Sequence, residues 1–262
     1  MKQLVYLLLA VLLTTGCSND DTPQETVLQP IGENIVGKWQ MTGYSTFSDG
    51  KWEEQINDNN VSMAMDFRPD GTEVRVMTYP DGFTALATRT WSVDEANNML
   101  TDEGSQQKIH RLTATELVTE STQAQDPETG EIAQTIGRWT FCRATEKDKT
   151  LAERLVGKWR FTGVYDKVDG QWVARNEDRF DEFWVEYKEN GMSEEHAFRG
   201  GEEFHHTECK WSANTAAKRL RITEPDFEQP IEMPDENTLV CYFESDNGEY
   251  ILKDVYVRIS DF

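Results

Sequence analysis

The sequence is poor in the residues that catalysis and nucleic-acid binding require. It holds 26 Lys and Arg against 48 Asp and Glu, with four His and four Cys in 262 residues, for a formal net charge of −22. A surface so acidic repels phosphate backbones and anionic lipid, which excludes nucleic acid as a partner and simple adsorption to a membrane. There is no Gly-x-Ser-x-Gly, no phosphate-binding Gly-Lys-Ser/Thr loop, no His-Glu-x-x-His, no dinucleotide glycine fingerprint and no calcium loop. Carboxylates are so abundant that their adjacency carries no catalytic meaning. A non-catalytic protein is the expectation. Long amphipathic helical patterns are missing too, and the one helical signal is "TLAERL" (150–155), where Thr150 and Glu153 have capping-box spacing.

The longest apolar run is "LVYLLLAVLL" (4–13), preceded by Lys2 and followed by "TTGCSNDD". Ten residues rise only about 15 Å as a helix, too short for a hydrocarbon core of about 30 Å. One positive charge, a short apolar core and small residues before a cut describe an export signal. Thr15 and Gly16 fit a peptidase groove, and the thiol of Cys17 can carry a diacylglycerol thioether. Thr14 stands where many such sites have Leu, with Leu13 one residue earlier. The expected organisation is a signal peptide over 1–16, a lipidated tether over 17–33, and folded domains over 34–147 and 150–262. Loss of residues 1–16 removes one Lys and leaves 25 basic against 48 acidic side chains.

The folded part repeats itself. "VGKWQMTGYSTFSDGKW" (36–52) returns as "VGKWRFTGVYDKVDGQW" (156–172). Trp39 and Trp52 are matched by Trp159 and Trp172, "FRPDG" ending at Gly71 by "YKENG" ending at Gly191, and Trp91 by Trp211, all without a gap. The period is domain-sized, so the chain is a duplication of two units joined near residues 145–152, each long enough for its own core. "VSMAMDF" (61–67) alternates with Val61, Met63, Met65 and Phe67 on one face, and "DEFWVEY" places Phe183, Val185 and Tyr187 alike. Many short strands separated by turn signals predict an all-β fold of antiparallel barrels or sandwiches.

A short helical turn, Gly-x-Trp on the first strand and about eight meandering strands resemble the lipocalin fold. More narrowly, "VGKW", a Gly-Lys/Gln-Trp hairpin, a D/N-G turn and a second strand Trp, twice and behind a lipobox-like cysteine, resemble the tandem lipocalin-like domains of Bacteroidetes lipoproteins. The resemblance implies two barrels of about eight strands each. It also implies lipid on Cys17 and an outer-membrane, surface-exposed location in a Gram-negative bacterium. Trp39 and Trp159 would then plug the closed end of each barrel, and Trp91 and Trp211 would be structural.

Function is then expected in a lumen, where a small molecule would bind, or on outer faces that contact other envelope proteins if the barrels are solid. In the first repeat Val74, Val76 and Leu86, with Met63 and Met65, predict an apolar lumen. In the second, Val74 and Val76 become Glu194 and His196. A two-residue hairpin turn would set His196 opposite His205, and a glycine bulge opposite His206. Glu194, His196 and one of these histidines would then line a polar site able to take a divalent metal; no other cofactor is expected. Of the cysteines besides Cys17, Cys209 and Cys241 are the favoured disulfide pair, with three buried thiols (Cys142 included) as the alternative.

Overall fold

In a computed structural model the described residues are 26–48, 50–55, 61–121, 136–176, 180–223, 226–245 and 247–259. Cys17 and the expected export segment lie outside them. The first unit comprises β1 (Thr26–Val27), α1 (Ile31–Asn34), β2 (Gly37–Ser48), β3 (Lys51–Glu54), β4 (Ser62–Phe67), β5 (Thr72–Thr78), β6 (Phe83–Asp94), β7 (Met99–Asp102), β8 (Ser105–Leu112), β9 (Glu116–Ser121) and β10 (Ile136–Arg143). A 3-10 turn and α2 (Leu151–Leu155) lead into β11 (Gly157–Val168), β12 (Gln171–Arg175), β13 (Glu182–Tyr187), β14 (Met192–Arg199), β15 (Glu202–Asn214), β16 (Arg219–Thr223), β17 (Phe227–Asp235), β18 (Thr238–Glu244) and β19 (Tyr250–Ile259). No helix among the described residues is long and apolar enough to cross a membrane.

Each unit is a closed antiparallel barrel of eight strands. β2, β4 and then β5 to β10 pair in succession, and β10 returns to β2. β11, β13 and then β14 to β19 do the same, with β19 returning to β11. Among the described residues, closure leaves no long edge in either circuit for pairing with another chain. β3 and β12 are hairpin extensions of the first strands, and β1 adds in parallel to β8 outside the circuit. The expected capping box is present: Thr150 accepts from the Glu153 amide and Glu153 accepts from the Thr150 amide.

The closed ends are built alike. Trp39 and Trp159 are both fully buried, and each indole N–H donates to the carbonyl four residues back, Ile35 or Leu155, at 2.7 Å. Arg143 on the last strand of the first barrel lies 3.9 Å from the Trp39 ring, and Arg258 lies 4.2 Å from Trp159. Gly37 and Gly157 have φ of +113° and +126°, and a Cβ there would meet the Arg143 or Arg258 guanidinium at 2.8 or 2.5 Å. Gly-x-Trp is thus the footprint of a half-buried arginine. Trp91 and Trp211 donate to the carbonyls of Thr72 and Met192 and pack on Phe67 and Tyr187.

The barrels are not merely strung together. The core of the second contains Ala64, Val76 and Leu86 of the first, packed with the α2 residues Leu151, Ala152 and Leu155. β6 and β15 pair at Ala213–Thr84 and Asn214–Phe83. Arg68 grips Glu189 with both terminal nitrogens, Lys38 meets Glu153 at 2.7 Å, and Arg221 meets Asp81 at 2.8 Å.

Candidate functional site

Register decides which side chains face each lumen. In the first barrel Trp39 pairs with Met65, and Met65 and Phe67 pair with Arg75 and Glu73, so these share the interior face. Met63 and Met65 pack in the interior cluster. Val74 and Val76 do not join them. They alternate with Glu73 and Arg75 and lie on the outer wall, where Val76 and Leu86 pack into the core of the second barrel and Val74 lines the groove between the barrels. The apolar lumen expected from Val74, Val76 and Leu86 is therefore corrected: those residues form a docking face. The interior they were assigned to holds charge. Arg75 Nε donates to Glu73 at 2.9 Å, and its Nη2 also reaches Asp102. Burial pushes the Glu73 carboxyl up to about 7, opposed by Arg75.

The second barrel has a cavity of about 470 Å³ at its mouth, lined by Phe161, Phe180, Phe183, Tyr256, Ala197 and His205, with Phe204, Arg199 and Asp254 completing it. Phe161 is edge-on to Phe180, Phe183 and Tyr256, with centroids 5.2, 6.4 and 5.7 Å away. The pairings Phe161–Tyr256, Phe183–Ala197 and Ala197–His205 bring these residues to one ring of the barrel. In the first barrel the place of Ala197 is held by Met77, between Met63 and Ala85, so space left by a methyl group in one copy is filled in the other. Below the aromatic ring sits Glu195, opposite Val185. Burial raises its pKa, against the pull of His205, and burial also raises those of Tyr187, Tyr256 and Cys241 around it. The cavity walls are mainly aromatic, and its polar groups are His205, Arg199 and Asp254.

The expected histidine site divides. A bulge between Ala197 and Phe198 sets His196 opposite His206 and sends His205 to the interior. Glu194, His196 and His206 lie together on the outer wall, where each offers a ligand atom within 4.8 Å of the others. Cys209 and Cys241 are both buried and form no disulfide, while Cys142 is exposed, so neither the favoured pair nor three buried thiols is found. A larger groove of about 770 Å³ runs between the barrels, lined by Asp66, Arg68, Glu153, Glu189 and Arg258 among others, and lies outside both lumens.

Sequence reasoning missed the aromatic ring because Phe161 and Tyr256 come from the first and last strands. Only the circuit's closure makes them neighbours.

Residues 35–119, most of the first barrel, match the model of the lipocalin-like domain family. No curated protein matches the chain significantly.

Proposed function

We propose that the protein is a membrane-anchored lipocalin-like carrier that holds a small apolar or aromatic molecule in the mouth of its second barrel, without catalysis. The observation that supports this most is the cavity of about 470 Å³ walled by Phe161, Phe180, Phe183 and Tyr256, within the 300–1,000 Å³ range of small-molecule sites. Lipid on Cys17 would tether the carrier to the outer membrane, each buried methylene adding about 0.8 kcal/mol. Cys17→Ser should then incorporate no lipid label.

The pocket is tested by titrating the full chain with an anilinonaphthalene fluorophore. One saturable site is expected in the wild type and none in Ala197→Phe, which fills the lumen. Equal binding by the two proteins would overturn the reading.

A scaffold role for envelope partners is the second reading. Exposed Val168 and Val173 of the β11–β12 hairpin, with Ile251 on the adjoining β19, favour it. Equal affinity for partner proteins in Ala197→Phe, with no ligand bound by the wild type, would select it.

A further inference from the structure

The duplication gives the outer histidines a counterpart. On the first barrel Ala64, Val76 and Leu86 form one cross-strand row on β4, β5 and β6, and that row docks the second barrel. The matching row on β13, β14 and β15 is Trp184, His196 and His206. The face that carries a barrel in one copy thus carries imidazoles in the other. Trp184 stacks on His196 at 3.7 Å, and His196 on His206 at 4.3 Å.

We infer that Glu194, His196 and His206 form a binding site for a borderline divalent cation of the zinc class on the outer wall of the second barrel. Glu203 contacts His196 Nδ1. A carboxylate there holds the proton on Nδ1 and turns the Nε2 lone pair toward the site, the outer-sphere arrangement of metal-bound histidine. That Nε2 is buried and has no hydrogen-bond partner. It faces Glu194 Oε2 at 3.8 Å, while Lys188 engages the other oxygen, Oε1. The third ligand, His206, is exposed and stacks on His196. Bonds of about 2.0–2.1 Å bring tetrahedral ligands to about 3.3 Å from one another, so the ring of His206 turns toward Glu194 to close the site. Two imidazoles and one carboxylate suit zinc, cobalt or nickel better than magnesium or calcium, which prefer all-oxygen sets.

Zinc titration calorimetry on the full chain, with excess magnesium to occupy surface carboxylates, tests this. One zinc per chain is expected. Its Kd should rise at least about ten-fold in His196→Ala and His206→Ala, and by about ten-fold or more in Glu203→Gln. His110→Ala, on the first barrel, should bind as the wild type does. Cobalt should give a tetrahedral absorption band that His206→Ala loses. Because His206 is exposed, its removal leaves folding intact, checked by circular dichroism, even where His196→Ala disturbs the Trp184 stack. Wild-type affinity in His206→Ala, or diffuse binding equal in all variants, would overturn the site.

Discussion

Arg258, on the last strand of the second barrel, lies over Trp159 on the first and donates to the carbonyls of Val156 and Arg154. Arg143 repeats the arrangement with Trp39, Val36 and Asn34. One side chain therefore joins the two strands that close each barrel to the turn that plugs it. Burial lowers the pKa of both arginines, yet guanidinium stays charged at any physiological pH.

Arg258→Ala takes a donor from three carbonyls, those of Val156, Arg154 and Glu236, and removes the ring contact, a loss of about 2–4 kcal/mol. Arg258→Lys should recover less than half of it, since one ammonium cannot reproduce the planar fork. Urea midpoints measure both. A lysine variant as stable as the wild type would show that charge alone suffices.

Glu73 predicts a pH dependence. Its folded pKa of about 7 stands above the ordinary 4.5 because of burial, partly offset by Arg75 and reinforced by Asp102. Between those values the folded state binds more protons than the unfolded one, so this group's contribution is present in full below about 4.5 and is lost as pH rises through 7. The loss is at most about 3 kcal/mol. Glu73→Gln should flatten that part of the stability profile between pH 5 and 8. An unchanged slope in the variant would place the titration elsewhere.

The duplicated tryptophans and the alternating runs made the barrels legible in the sequence, including the match of Val76 to His196. Orientation was not legible on every strand. On β4 alternation separates Met63, Met65 and Phe67 from Ser62, Ala64 and Asp66, and the apolar set faces inward. On β5 the apolar set points out because a second barrel covers it, and the charged set, Glu73 and Arg75, points in. The local pattern carries no trace of that partner. Arg143 and Arg258 escaped notice because the gapless match followed from the first strand ends at Trp211, and these two are closer in sequence than Trp39 and Trp159.

The repeat alone predicts two independent barrels, but the shared cluster predicts coupling. Val76 is 4% exposed within the core that holds Leu151, Ala152 and Leu155. Val76→Asp buries an unpaired carboxylate there, at a cost of about 3–5 kcal/mol. Calorimetry of the full chain should show one transition that moves as a whole. Two transitions, of which only one shifts, would mean that the contact is incidental.

The central claim, a ligand in the mouth of the second barrel, is tested most directly by photo-crosslinking. An apolar benzophenone probe at saturating concentration should label peptides containing Phe161, Phe183 and Tyr256 in the wild-type chain, and the label should vanish in Ala197→Phe. Labelling spread over both barrels, or persisting at the same peptides in the filled variant, would contradict it.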